Sequence, residues 1–355
     1  MTAILSNRAH GKTGKTPEPQ RLKVLHVVHQ FPPHHRHGAE LSSLELARGQ
    51  QKRGYEVRVL AGEKGRFSKE IASQRDSYQG LDVTRLYFNP RSEQGFLKHP
   101  GLHDWFLSEL TTWKPDLIHV QHLQNLSFSL LDVAHKISIP TVITLRDYGL
   151  FCARTNLVRG DLSLCRESDL VHDCVTCLRQ RMPLSPMEKV GAMATAIQKN
   201  LFRARAWSLL GDMLLGFHLK RLPPLRLDNS DDFKMRNDRL LEVLSRADCI
   251  VAISEDLKER FERFLGNAIR VISLLQTPDL PIIERDNSSK HSEKMRFGFI
   301  GKFSSIKGIH LLLDAFGQLP PESATLDIYG SPTWTNLQEI AYWRRMKRRA
   351  KMPGV

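Results

Sequence analysis

The stretch "LKVLHVVHQFPPHHRHGAELSSLELARGQQKRGYEVRVLAG", residues 22–62, decides the fold. It opens on the short apolar run 22–28, which is bounded by polar and turn residues and is typical of a buried parallel strand. Residues 40–53 carry apolar side chains at helical spacing and are followed by Gly54, so we predict a helix that ends there. Residues 55–62 repeat the strand pattern. Strand, helix and strand in this order indicate a βαβ unit with parallel strands.

The same alternation continues along the chain and predicts an α/β fold. We expect a doubly wound, Rossmann-like N-terminal domain over residues 21–290 and the start of a second Rossmann-like domain over residues 291–355. Residues 1–20 are predicted to be a disordered leader, and residues about 179–246 a basic helical insertion. The further strand patterns lie at residues 81–88, 116–121, 140–145, 247–254, 296–301 and 324–330.

The overall charge restricts the classes of partner. The 355 residues carry a formal net charge of +14, which suits phosphorylated substrates, an anionic membrane surface or nucleic acid. Five cysteines are too few for a disulfide scaffold. The sequence contains no apolar run of about 18 residues, so no membrane span is predicted. We expect a cytoplasmic protein with reduced thiols.

One segment of the insertion is amphipathic. In residues 206–221 the side chains of Trp207, Leu210, Leu214 and Phe217 share one helical face. Two interpretations stay open. The helix rests on the anionic inner face of the cell membrane, or it is a core helix packed on protein.

The stretch "GKFSSIKG", residues 301–308, lies between a strand and a helix. Gly301 permits a turn, Lys302 and Lys307 supply two cations, and the helix start supplies free N–H groups. This combination would hold a diphosphate. The alternative is a solvated turn with two surface lysines, because the stretch lacks both G-x-G-x-x-G and Walker spacing.

Four cysteines follow a predicted strand in the pattern C-x12-C-x8-C-x2-C. The last two have the spacing of a zinc knuckle, whereas the first two are further apart than in standard fingers. Three interpretations stay open: a structural zinc that staples a loop, plain buried thiols, and a redox or disulfide pair. The four are Cys152, Cys165, Cys174 and Cys177.

Five motifs occur in a fixed order and resemble glycosyltransferase family 4, which has the two-domain GT-B fold. They are "HxFxP…GAE", "PDLIHVQHLQNLS", "TLRDYGLFC", "ADCIVAISEDLKERF" and "FGFIGKFSSIKGIHLLLDAF", and the resemblance covers about residues 22–335. It implies transfer of a sugar from a UDP- or GDP-sugar to a saccharide or lipid-linked acceptor, with retained anomeric configuration and usually no catalytic metal. Cell-surface polysaccharide or glycoconjugate biosynthesis is the implied setting.

The resemblance also implies roles for single residues. His122 falls on the acceptor side, and Arg146-Asp147 falls where the family commonly has the His-Asp pair that meets the transferred sugar. Gly38 and Ala39 fall on a Gly-Gly pair that approaches the donor phosphate. The donor diphosphate would be held by Gly301, Lys302, Lys307 and Gly308.

Two departures from the family pattern shape the expectations. Arg146 replaces a histidine, which shifts the expected substrate toward an anionic one. The chain ends before the family's E-x7-E region, so we expect a truncated second domain. The alternative function is therefore a non-catalytic remnant that binds an acceptor or partner. Nucleic acid is not an expected partner, because no recognised reading helix or RNA-binding signature accompanies the basic charge.

Overall fold

The computed structural model describes residues 21–63, 71–88, 97–123, 126–152, 154–159, 163–165, 172–179, 185–203, 230–266, 271–273, 294–320, 323–334 and 336–355. The predicted leader and the amphipathic segment at residues 206–221 lie outside these ranges. The chain divides into two compact units. Unit 1 comprises Met1–Asn89, His99–Thr144 and Ala247–Cys249, and unit 2 comprises Pro90–Lys98, Leu145–Arg246 and Ile250–Val355.

Unit 1 holds six strands of an eight-stranded sheet, in the order β3-β4-β2-β1-β5-β6. All their pairings are parallel except that of β3 with β4, which is antiparallel. The predicted α/β, Rossmann-like fold is confirmed. The strands are β1 (Lys23–Val28), β2 (Glu56–Glu63), β3 (Ile71–Tyr78), β4 (Leu81–Phe88), β5 (Leu117–Val120) and β6 (Thr141–Leu145), of which Leu145 belongs to unit 2.

Three helices of unit 1 lie between these strands: α1 (Gly38–Lys52), α2 (Pro100–Trp113) and α3 (Ser129–Lys136). α1 buries Leu44 and Ala47 against β1 and β2, as the apolar spacing predicts. α2 begins where the side chain of His99 accepts a hydrogen bond from the backbone N–H of Leu102.

A buried guanidinium joins the loop after β1 to three strands of unit 1. Arg85 on β4 is fully buried. Its Nη1 lies 2.9 Å from Oε1 of Glu63 on β2, and its Nε lies 2.6 Å from Oδ2 of Asp76 on β3. It also donates to the backbone carbonyls of Phe31, at 3.2 Å, and Pro32, at 2.7 Å. The planar guanidinium has five N–H donors, so one side chain can serve two carboxylates and two carbonyls.

Unit 2 contains two pairs of parallel strands and six α-helices within the described residues. β7 (Cys249–Ala252, with Cys249 counted in unit 1) pairs with β8 (Val271–Ser273), and β9 (Met295–Ile300) pairs with β10 (Ala324–Tyr329). The helices are α4 (His172–Arg179), α5 (Pro186–Arg203), α6 (Ser230–Ser245), α7 (Glu255–Leu265), α8 (Ile309–Phe316) and α9 (Leu337–Arg349).

The second predicted series of strands and helices is present as β9-α8-β10-α9. A short 3₁₀ helix, Ser305–Lys307, precedes α8. Ile309 and Leu313 of α8 are fully buried and pack with Leu326 of β10 and Met346 of α9. The predicted division of the chain near residue 290 stays a prediction.

None of the helices in the described part of the chain is long and apolar enough to cross a membrane.

Replacing Arg85 with methionine should lower the free energy of unfolding by about 3–5 kcal/mol, because the buried Glu63 carboxylate loses its partner. Urea unfolding followed by circular dichroism measures this loss. The control is Arg75→Met, which breaks the exposed ion pair between Arg75 and Glu109 and should cost less than about 1 kcal/mol. Equal losses in the two variants would contradict the prediction.

Candidate functional site

The loops after β1 and β5 meet at the point where the strand order of unit 1 reverses. β2 and β5 pair with opposite edges of β1, so the two connections leave the sheet in opposite directions. Doubly wound sheets bind ligands at such a reversal. The ring of His29, after β1, lies 4.3 Å from the ring of His122, after β5, measured between centroids. His122 thus lies beside the loop after β1, while its acceptor-side role stays a prediction.

The carboxylate of Glu40 lies beside this histidine pair. Glu40 is buried in the first turn of α1, with its Oε1 3.3 Å from Nε2 of His29 and 3.6 Å from Nδ1 of His37. Burial by itself raises the pKa of the Glu40 carboxyl. Hydrogen bonds from His29 and from its own backbone N–H, together with the charges of His29 and His37, outweigh burial and lower that pKa to about 2. Glu40 is therefore ionised at neutral pH.

The Glu40 carboxylate can orient the imidazole ring of His29. A carboxylate that hydrogen-bonds an imidazole nitrogen fixes the orientation of the ring. His29 and Glu40 were not predicted as site residues, although both lie in the motif "HxFxP…GAE". A detectable signal was the position of Glu40, which shares a helical face with the buried Ser43 and Leu44.

The buried carboxylate of Glu63 contacts the loop between His29 and α1. Oε2 of Glu63 lies 3.1 Å from Nε2 of His35, while Oε1 accepts from Arg85. The amide nitrogen of Gln30 lies 3.3 Å from the same imidazole nitrogen. One buried carboxylate thus connects the guanidinium to the loop.

Gly38 and Ala39 form the open start of α1. A Cβ added to Gly38 would meet nothing within 4 Å. The first amide groups of a helix have no intrahelical acceptor and favour anions. This geometry fits an approaching phosphate, while the contact of Gly38 and Ala39 with a donor stays a prediction.

In unit 2, the loop from Gly301 to Gly308, here called the donor loop, joins β9 to α8. The backbone N–H of Gly301 donates to the carbonyl of Tyr329 at 3.0 Å. A Cβ at Gly330, whose φ is +156°, would lie 1.8 Å from the carbonyl oxygen of Gly301. Only glycine fits at residue 330, so the ends of β9 and β10 stay in contact.

The two lysines of the donor loop differ in their surroundings. The Nζ of Lys302 lies 2.9 Å from Oε1 of Glu339 on α9. The other carboxylate oxygen of Glu339 accepts from the backbone N–H of Thr333 at 2.8 Å. The side chain of Lys307 is exposed and makes no ion pair within the described residues. One predicted donor-binding cation is therefore shared with a carboxylate.

The remaining two donor-loop residues of interest are Ser304 and Gly308. Ser304 is only 7% exposed, and its Oγ has no hydrogen-bond partner among the described residues. Buried hydroxyls are normally satisfied, so this one is suited to a ligand oxygen. Gly308 has φ +69° and immediately precedes α8, whose first amide groups follow it.

Arg146 and Asp147 follow β6 and belong to unit 2. Oδ1 of Asp147 accepts from the backbone N–H of Gly149 at 2.7 Å. Nη2 of Arg236 on α6 donates to the carbonyl of Gly149 at 2.6 Å, which fixes the turn. Asp147 therefore shapes the backbone, and the sugar contact assigned to this pair stays a prediction.

The four thiols of the cysteine segment are close neighbours. Burial first, and then repulsion from the negative charge of the other three cysteines in their thiolate form, raise the pKa of Cys174 to about 12. None of the four forms a disulfide bond within the described residues. Within the described residues, no three His, Cys, Asp or Glu side chains are arranged to hold a metal ion. The structure thus gives no support to the predicted zinc site formed by Cys152, Cys165, Cys174 and Cys177.

Comparison of sequences confirms the predicted resemblance. Residues 36–163 match the sequence model of Glycosyltransferase Family 4. That segment includes Gly38, Ala39, His122, Arg146 and Asp147. A search among curated proteins finds no match.

Solved structures similar to this chain are glycosyltransferases of the GT-B fold. Sucrose-phosphate synthase from Thermosynechococcus elongatus gives a TM-score of 0.50 at 13% identity, covering 92% of this chain and 67% of that protein. The catalytic domain of starch synthase IV from Arabidopsis thaliana, bound to ADP and acarbose, gives 0.44 at 10%, covering 93% and 72%. HepE from Anabaena, in complex with UDP and glucose, gives 0.46 at 15%, covering 93% and 66%.

At these identities the likeness shows the fold alone. The chain spans roughly two thirds of the length of these proteins.

Glu40 should make the stability of the chain depend on pH. Because its pKa in the folded state is about 2, against an ordinary 4.5, its ionised form stabilises the fold above about pH 4.5. That contribution, about 3 kcal/mol at most, is lost as the pH falls toward 2. Urea unfolding at pH 6 and pH 3 should therefore show a smaller difference for Glu40→Gln than for the unchanged chain. The control Glu45→Gln, on the exposed side of α1, should keep the full difference; the same loss in both variants would refute the assignment.

Proposed function

We propose that the chain acts as a retaining glycosyltransferase of the hexosyl-transferring type. Its donor would be a UDP- or GDP-sugar, and its acceptor a saccharide or lipid-linked saccharide of cell-surface polysaccharide or glycoconjugate biosynthesis. The match of residues 36–163 to Glycosyltransferase Family 4 supports the class of reaction. The observation that carries the donor assignment is the geometry of the donor loop.

The donor loop supplies what an anionic leaving group needs. Lys307 presents an exposed cation, α8 begins beside it with the positive end of its dipole, and the buried Ser304 hydroxyl has no hydrogen-bond partner among the described residues. A nucleoside diphosphate carries increasing negative charge as its bond to the sugar breaks. Fixed cations and helix N-termini stabilise that charge in the transition state.

Glu339 competes with a donor for Lys302. A diphosphate bound at Lys302 replaces a single carboxylate as the partner of the Nζ cation. An exposed ion pair of this kind is worth little, so exchange of one anion for another is feasible. Glu339 keeps its bond to the Thr333 N–H and remains in place when Lys302 turns to a ligand.

The proposed acceptor side is the group of His29, Glu40 and His122 in unit 1. The ionised Glu40 fixes His29, and the neighbouring His122 ring would orient an acceptor hydroxyl. Arg146 stands where the family commonly has histidine. A guanidinium does not lose its proton in proteins, so Arg146 would hold an anionic group and would not act as a base.

The proposed location is the cytoplasm, with peripheral contact to the anionic inner face of the membrane. The net charge of +14 supports this contact. A second candidate function, binding of nucleotide-sugar or acceptor without transfer, is favoured by Arg146 alone. A chain that binds the nucleotide but transfers no sugar to any saccharide acceptor would favour this second candidate.

Removal of Lys307 should weaken donor binding. Calorimetric titration with UDP and GDP should show binding of one of them, and Lys307→Ala should reduce its affinity by about tenfold, since a charge-assisted contact is lost. Lys258→Ala removes a partly exposed lysine of α7 and serves as the control. No binding of either nucleotide, or equal binding by both variants, would count against the donor loop.

Removal of the Glu339 charge should act in the opposite direction. Glu339→Gln frees Lys302 and should raise the affinity for the same nucleotide by roughly threefold or more. The matched control is Glu255→Gln, which breaks the exposed pair of Glu255 with Lys258 on α7 and should leave the affinity unchanged. Weaker nucleotide binding by Glu339→Gln would show that Glu339 does not compete.

A further inference from the structure

Helix α5 is apolar on two faces. One face packs on α9, where Ala192 is fully buried with Ile340 and Ala341. The contact is close at Gly191, since an added Cβ would lie 2.9 Å from Nη2 of Arg344. This face accounts for the position of α5 in unit 2.

A different face of α5 carries large apolar side chains that remain exposed. Met187, Val190, Met193 and Ile197 are 86%, 67%, 51% and 46% exposed. Their spacing of three and four residues places them along one side of the helix, and we call them the α5 stripe. The stripe extends over about 15 Å at the rise of an α-helix. A contiguous exposed apolar patch of this kind marks an interaction surface.

Positive charge borders the α5 stripe. Lys189 is exposed within the same turn as Val190. The Nη1 of Arg344 donates to Oγ1 of Thr195 at 2.7 Å, and Nη2 of Arg345 lies 2.6 Å from Oε1 of Glu188. Both arginines of α9 thus reach across to α5.

The acidic groups of the two helices are already neutralised. Glu188 pairs with Arg345, and its hydrogen bond from that guanidinium is the first cause that lowers the pKa of the carboxyl. Glu339 pairs with Lys302. Lys347 and Arg348 of α9 remain exposed beyond these pairs. Lys189 and Arg344 therefore remain beside the stripe as positive charges that no acidic group of the two helices neutralises.

An anionic lipid surface fits this combination of apolar stripe and cationic border. Amphipathic helices that lie in a membrane interface bury such a stripe among the acyl chains and place lysine and arginine at the headgroups. A second copy of the chain, docked through the same stripe, would bring two sets of these cations together. Nucleic acid would use the cations and leave the stripe exposed.

We propose that the α5 stripe docks unit 2 on an anionic membrane surface. This inference deepens the proposed membrane contact and assigns it to α5; it does not depend on the chemistry of sugar transfer. The amphipathic segment predicted at residues 206–221 is not needed for it.

Flotation of the full chain with vesicles tests the proposal. The vesicles contain either phosphatidylcholine with phosphatidylserine or phosphatidylcholine alone. We expect binding to the anionic vesicles only, and a reduction by about tenfold or more in the double variant Met187→Gln/Val190→Gln. The control Met235→Gln changes a 40% exposed methionine of α6 and should bind like the unchanged chain.

Other occupants of the stripe would be recognised by separate results. A dimer that the double variant abolishes in size-exclusion chromatography would identify a second copy. A lower melting temperature of the double variant would show that the chain itself covers the stripe. Either result, equal flotation of both variants, or flotation with phosphatidylcholine alone would overturn the proposal. UDP and GDP calorimetry on the same samples reports the donor loop independently, so each proposal fails by its own measurement.

Discussion

The candidate site of unit 1 depends on one buried guanidinium. Arg85 satisfies the Glu63 carboxylate and the carbonyls of Phe31 and Pro32 where water is excluded. Leaving a buried charge unpaired costs several kcal/mol, so Arg85 couples the loop after β1 to β2 and β4. The position of that loop brings His29 to 4.3 Å from His122 and places Glu40 beside it. Site geometry thus rests on a residue outside every motif.

The two units use ion pairs in physically different ways. The Arg85–Glu63 pair is buried, with side chains 1% and 6% exposed, and therefore fixes a loop. The Lys302–Glu339 pair is partly exposed, with Lys302 at 43%, and contributes little to stability. Such a pair exchanges its anion readily, which suits a loop that alternately holds and releases a phosphorylated ligand. The proposed reaction needs both features: a fixed loop on the acceptor side, and a donor loop whose lysine can exchange one anion for another.

The fold was predictable because the alternation of strands and helices is encoded locally in the sequence. Most contacts of the candidate site were not predictable in this way. Apolar runs correctly predicted β1, β9 and α8, and with them the loop at residues 301–308. β3 was missed, since its exposed polar residues lack strand periodicity. The contact of His29 with His122 and the pairing of Glu339 with Lys302 join residues far apart in the sequence, which no local spacing encodes. For the cysteines, spacing carried no information on metal-ligand geometry, and the described residues contain no group arranged to hold a metal ion.

Hydrogen–deuterium exchange of the full chain, with and without a UDP- or GDP-sugar, tests the central claim most directly. The claim is that the loop from Gly301 to Gly308 and the start of α8 hold the nucleotide-sugar. We predict slower exchange of the backbone amides in residues 301–312 with one of the two donors, because a bound diphosphate would cover this loop and reduce its local opening. Unchanged exchange throughout that stretch with both donors would contradict the account.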